Sequence, residues 1–265
     1  MTKIALTIAG VDPSGGAGVY ADIRAFAAFG VFPTAAITSI TFQNTQGVFG
    51  AEHQSAESVR RQVEPILEDY TVDAVKTGML PNREIIEEVA RIVSERKLPN
   101  FVVDPVVRST SGFDLIDNAA LKAMIEKLFP ISDLITPNVP ETERITGIAI
   151  QSEQDVHEAA KIMHSQGARN VLIKGGHLDI GGQEKRTARD FLFLEGKLEV
   201  IDGEFHDTTS THGTGCTLAS AIAANLALGN RIKDSVEIAK RFVNEAIRTA
   251  PGIGKGNSPI NIKAI

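Results

Sequence analysis

The stretch IALTIAGVDPSGGAGVYADIRAFAAF, residues 4–29, joins an apolar run to an amphipathic segment through a long glycine-rich turn. Ile4–Ala9 carries no charge and reads as a strand buried on both faces. Val19–Phe29 repeats its apolar residues at helical spacing. The unit is strand, turn, helix, and the chain goes on repeating it. Further candidate strands are Ala35–Phe42, Ala74–Lys76, Phe101–Asp104, Leu134–Thr136, Val171–Lys174 and Phe191–Leu194. Helical patterns fall at Ala56–Asp69, Arg83–Glu95, Asn118–Leu128 and Glu153–Gln166, and two more helices follow at Thr214–Leu228 and Lys233–Ala250. Such alternation predicts an α/β fold with a central, mostly parallel sheet and helices on both faces. The run around Gly196 reads instead as a hairpin, which predicts an antiparallel edge. No linker or repeat divides residues 1–265, so one domain is expected.

Composition narrows the function. Apolar residues make up 43% and charged residues 23% of the chain, as in an ordinary water-soluble globule. The net charge is −6 with no Lys/Arg block, which argues against nucleic acid as a partner. The opening apolar run is too short for a signal-peptide core or a membrane span. One cysteine, Cys216, cannot form an internal disulfide, so a reducing cytoplasm is the expected location.

The strand ends carry the chemistry. Each apolar run stops at a polar or conformationally special group: AGVDPSGGAG, FQNTQG, KTGM, DPVV, TPNVPE and KGGH. Ligands of open parallel sheets bind just outside the carboxyl ends of the strands. Turn chemistry explains many of the Gly, Pro and Asn residues. It does not require Gln43, Asp104, Glu141 or Lys174.

Several familiar chemistries fail on these residues. GAGVYA, Gly16–Ala21, matches the dinucleotide pattern, but no acidic residue stands between Asp22 and Glu52 to hold a ribose. There is no Walker A loop, no G-x-S-x-G elbow and no H-E-x-x-H helix. A C-x5-R phosphatase loop would need Arg where Ile222 stands. What remains is HGTGC at His212–Cys216, followed at once by an apolar helical run. Gly213 and Gly215 let the chain bare its amides at a helix start, which attracts an anion. The same field favours a thiolate on Cys216, although a small thiol at a helix start is also ordinary packing. A thiolate there suits acyl transfer or deprotonation of a hydroxyl for phosphoryl transfer. The cation Lys174 and the acids Asp104 and Glu141, at neighbouring strand ends, favour phosphoryl transfer.

The ordered set TIAGVDPSGGAGVYADI, QNTQGV, VKTGMLP, VVDPVV, ITPNVPE, VLIKGGH and THGTGCTLASAIAA resembles the hydroxymethylpyrimidine/phosphomethylpyrimidine kinase branch of the ribokinase superfamily. The match runs from residue 7 to residue 224 in family order. The resemblance implies a ribokinase-like single domain, commonly a homodimer, that uses ATP and Mg2+ to phosphorylate a pyrimidine in thiamine biosynthesis. It implies Cys216 as catalytic base, Gly213 and Gly215 as the anion hole, and Lys174 as the phosphate-neutralising cation. Asp104 and Glu141 would position magnesium through water. Gly10, Asp22, Gln43, Met79 and Val106 would line the pyrimidine pocket, where the Gln43 carboxamide offers both a donor and an acceptor to an aminopyrimidine edge. A pyridoxal-type kinase shares the phosphate motifs, and a pyrimidine-binding sensor would share the pocket. The sequence departs from the family at Val11, where Ser is usual, and at Phe42, whose bulk is expected to narrow the pocket. His177 and His212 receive no role.

Overall fold

The computed structural model of the chain describes residues 1–108, 112, 114–176 and 187–263. The first unit is strand β1 (Ile4–Val11) and helix α1 (Gly18–Ala28). Next come β2 (Phe32–Asn44), β3 (Gly47–His53), α2 (Ala56–Asp69), β4 (Ala74–Thr77), α3 (Arg83–Arg96) and β5 (Phe101–Val103). Helix α4 (Asn118–Ala123) continues into a wider π turn over Met124–Leu128, so the helix expected over Asn118–Leu128 is not uniform. The chain then forms β6 (Leu134–Ile135), α5 (Val139–Thr146), α6 (Glu153–Ser165), β7 (Val171–Lys174), β8 (Thr187–Leu194) and β9 (Lys197–Glu204). Helices α7 (Thr214–Ala227) and α8 (Ile232–Arg248) follow.

Among the described residues, one sheet runs in the order β3-β2-β1-β4-β5-β6-β7-β8-β9. Pairing is parallel from β2 through β7 and antiparallel at β2–β3, β7–β8 and β8–β9. The hairpin expected around Gly196 is β8–β9. The antiparallel strand β3 at the opposite edge was not expected, because its residues, GVFGAEH, are glycine-interrupted.

Alternation along the central strands divides two apolar layers. Leu6, Ile8, Val75, Phe101, Val103, Val171 and Ile173 point to the side covered by α2, α3, α4 and α6. Ala5, Ala74, Val102, Leu134 and Leu172 point to the side covered by α1, α7 and α8. Helix α7 is buried over nearly its whole circumference, as its uniformly apolar sequence requires. The chain crosses from β1 to β2 on one side and from β3 to β4 on the other. The crevice between the ends of β1 and β4 is therefore the topological switch point where α/β sheets bind ligands.

Candidate active site

Among the described residues, two of the cavities at this rim bear on the site. The smaller, about 160 Å³, lies over the switch point and is walled by Gly10, Gln43, Met79, Val106, Asp104, Glu141, Lys174, Gly213, Gly215 and Cys216, with Val11, Asp12, Arg108 and His212 among the rest. The larger, about 500 Å³, extends outward over Gly175, Asp190, Lys240 and α8. Lys174, Gly215, Thr211, Thr214 and Asn138 line both. The two cavities therefore meet at the start of α7.

The glycines there have defined tasks. Gly213 caps α7 with φ +83°, and a Cβ on it would stand 1.8 Å from the Gly16 carbonyl oxygen. No side chain caps that helix end, which lies at the junction, and its Thr214 N–H bonds the Thr211 carbonyl at 3.2 Å. A Cβ on Gly215 would lie 3.2 Å from Lys174 Nζ, so a glycine lets the ammonium approach the helix start.

Lys174 Nζ donates to Asp104 Oδ1 at 2.7 Å and lies 3.9 Å from Glu141 Oε2. Burial lowers the proton affinity of Lys174, but the Asp104 and Glu141 carboxylates beside it more than reverse this. Burial, with the Asp104 charge adding to it, raises the Glu141 carboxyl to about 7 against the pull of Lys174. Glu141 also belongs to a capping box that the sequence spacing N-x-x-E encodes. Its Oε2 accepts the Asn138 N–H at 2.7 Å, and its own N–H donates to Asn138 Oδ1 at 2.8 Å. Helix α5 is thus signalled by Asn138 and Glu141, whereas the family resemblance gives Glu141 a magnesium-positioning role and Asn138 none.

Among the described residues, no cluster of three or more His, Cys, Asp or Glu could cage a metal alone. The paired carboxylates Asp104 and Glu141 nevertheless suit magnesium, which keeps several waters and shares its ligands with phosphates.

Cys216 sits in the first turn of α7, half-buried, on the wall of the smaller cavity. The helix start was expected to favour a thiolate. Instead, burial pushes the thiol up to about 11, with Asp104 and Asp22 adding to this and the Lys76 ammonium opposing it.

Asp22 is the expected pocket residue that the structure does not bring to either cavity. It is fully buried beneath them, bonded to Lys76, Thr7 and Ser220. The reason is its position on the sheet-facing side of α1. Phe42 does not narrow the pocket either: it is 52% exposed and outside the walls. A register shift between Phe42 and Gln43 in the β2–β3 pair accompanies this split, with Gln43 on the cavity wall. His177 lies outside the described residues.

Sequence reasoning missed three groups here. Asp12 accepts N–H groups from Ser14, Gly16 and Ala17 and pairs with His212. Lys76 was legible as a lysine inside a buried strand, which demands a partner. Asp190, bonded to Lys240 at 2.5 Å and to the Gly175 N–H at 3.1 Å, fixes the KGG turn in the larger cavity.

A parallel sheet with its ligand rim at the switch point, and two cavities joined at a glycine-capped helix beside a lysine and two acids, define a phosphotransferase of the ribokinase-like class. The family described as phosphomethylpyrimidine kinase matches residues 12–261, and the chain belongs to it. The hydroxymethylpyrimidine/phosphomethylpyrimidine kinase of Bacillus subtilis is 44% identical, covering 97% of this chain and 93% of that protein. The crystal structure of Clostridium difficile phosphomethylpyrimidine kinase aligns with TM-score 0.80 and 39% identity over 93% of this chain and all of that one. The Bacillus subtilis pyridoxal kinase in its ADP complex aligns with TM-score 0.89 and 35% identity over all of this chain and 98% of that one.

Proposed function

We propose that the protein uses ATP and Mg2+ to phosphorylate hydroxymethylpyrimidine and then its monophosphate, in thiamine biosynthesis, with Cys216 as base for the first step. The observation that carries this reading is the meeting of the two cavities at Lys174 and Gly215. A small acceptor in one and a nucleotide in the other would bring hydroxyl and terminal phosphate together there. The Gly215 turn and the amides of α7 would hold the transferred phosphate, and Lys174 would offset its charge. Asp104 and Glu141 would hold magnesium through water, and the ion would neutralise phosphate charge. Cys216, as thiolate, would take the hydroxyl proton. The acceptor of the second step is a phosphate oxygen, largely ionised near neutral pH, and needs no such base. The homodimer and the cytoplasmic location belong to the same proposal.

A pyridoxal-type kinase is the second reading, favoured by the close overlay on the Bacillus subtilis pyridoxal kinase. Gln43 on the cavity wall supports the pyrimidine, because a pyridine ring presents no aminopyrimidine edge. The test is nucleoside diphosphate release from ATP and magnesium with hydroxymethylpyrimidine, its monophosphate, pyridoxal or no acceptor. Turnover with both pyrimidines and little with pyridoxal is expected. Turnover with pyridoxal alone would overturn the substrate and keep the chemistry. Saturable binding without turnover would mean a sensor.

A further inference from the structure

Beneath Cys216, on the layer shared by α1 and α7, lies a pair of charges that the reaction described above leaves unused. Lys76 points from β4 toward that layer and is fully buried. Its Nζ donates to both oxygens of Asp22 at 2.9 Å. Asp22 also accepts from Thr7 Oγ1 and from Ser220 Oγ, each at 2.6 Å. Ser220 is one helical turn beyond Cys216, so the pair lies under the same face of α7 as the thiol. Neither Lys76 nor Asp22 reaches a cavity wall, so neither is placed to bind a substrate.

Such a pair needs a reason. Two charges taken out of water are often no better for stability than well-packed apolar residues of the same volume. The network also crowds the rim: a Cβ on Gly78 would stand 2.9 Å from Lys76 Nζ. The neighbouring electrostatics supply a reason. The charged groups acting on the thiol are Lys76 from β4, Asp22 from α1, Asp104 after β5 and Lys174 from β7, and the Gly18 amide also favours its ionised form. Lys76 is the strongest of the groups that favour the thiolate, and it outweighs Asp22, which opposes it.

We propose that Lys76 is a positioning residue for the phosphoryl transfer: its buried ammonium, locked by Asp22, maintains the thiolate fraction of Cys216. This rests on the reading of Cys216 as base. In the step it serves, the acceptor hydroxyl gives its proton to Sγ and its oxygen bonds to the terminal phosphorus. The bond from that phosphorus to the nucleoside diphosphate breaks, and the diphosphate leaves with the electron pair. Lys76 keeps its proton throughout.

The single cysteine makes the test direct, because alkylation by iodoacetamide reports on Cys216 alone. Alkylation rate against pH is measured on the native chain, on the double variant Lys76→Met/Asp22→Asn and on Lys76→Arg. The double variant removes both charges, leaves no unpaired buried ion and keeps an amide between Ser220 and Thr7 that accepts from one hydroxyl and donates to the other. Its alkylation midpoint is expected to rise by about one pH unit, with alkylation about tenfold slower at pH 8. Lys76→Arg keeps the charge, so its midpoint is expected to stay near that of the native chain despite its greater bulk. An unchanged midpoint in the double variant, or an equal rise in Lys76→Arg, overturns the proposal. Should Lys76→Arg fail to fold, the double variant decides alone. Alkylation needs no turnover, so loss of the base reading, seen as full first-step activity in Cys216→Ala, is a separate result.

Discussion

His212 Nε2 lies 2.7 Å from Asp12 Oδ2, joining two glycine loops separated by 200 residues. The Asp12 carboxylate also gathers the N–H groups of Ser14, Gly16 and Ala17, so one residue shapes the first loop and ties it to the start of α7. Burial alone would raise the Asp12 carboxyl, but hydrogen bonds from His212, Ser14 and Gln43 hold it well below the usual carboxylate range. Asp12→Ala strands those donors and leaves His212 unpaired. A loss of about 1–3 kcal/mol in urea unfolding is expected, with a raised KM for the pyrimidine acceptor. A native unfolding midpoint and native KM would mean the clamp is incidental.

Cys216→Ala separates the two phosphorylations. The hydroxyl acceptor loses its base, so first-step kcat should fall about 10²- to 10⁴-fold. The second step should change little, because its acceptor oxygen is largely ionised near neutral pH. Single-turnover rates with each acceptor measure both. Equal losses would show that the thiol is structural.

The same thiol sets a pH profile. A base must be unprotonated, and burial places the Cys216 thiol at about 11. First-step kcat/KM should therefore climb about tenfold per pH unit through the mildly alkaline range. The second step should stay flat over that range. A first-step profile that is flat above neutrality would assign the proton transfer elsewhere.

Glu141 links the site to stability. Its carboxyl is raised from 4.5 to about 7, so the folded chain holds a proton that the unfolded chain has released. The stabilisation is complete below the unfolded value and is lost as pH rises through about 7. Glu141→Gln keeps the capping acceptor and removes this loss. It should match the native chain near pH 4 and exceed it by on the order of 1–3 kcal/mol at pH 8. Parallel stability curves across that range would refute the linkage.

Gly213→Ala and Gly215→Ala should differ in kind. The first puts a Cβ at positive φ against the Gly16 carbonyl, so backbone must move and thermal stability should drop sharply. The second meets only the flexible end of Lys174 and should fold nearly normally while losing turnover. Melting curves and nucleoside diphosphate release on both variants make the comparison.

Much of this site was legible along the chain. Gly10, Gln43, Met79, Asp104, Val106, Glu141, Lys174, Gly213, Gly215 and Cys216 all reach the wall of one cavity. Their shared feature is a place at or just beyond a strand end or helix start, which hydrophobic periodicity exposes. Asp22 was misplaced because a residue early in a helix can face ligand or sheet, and only packing of α1 against β1, β4 and α7 chose the sheet. Strand β3 was invisible because glycine-rich, half-exposed edge strands lack a strong pattern.

The sequence alone determined the alternating strand–helix plan, the order of the motifs and the small residues where backbone must approach an anion, because these follow from local periodicity and steric room. The charge state of those motifs was decided by tertiary structure. The thiol at the start of α7 carries a local field that favours ionisation, yet desolvation by the layers packed around it wins, and Lys76, 140 positions away by number, opposes that. Electrostatic energy depends on distance and solvent exposure, and neither exists until the sheet has closed its layers.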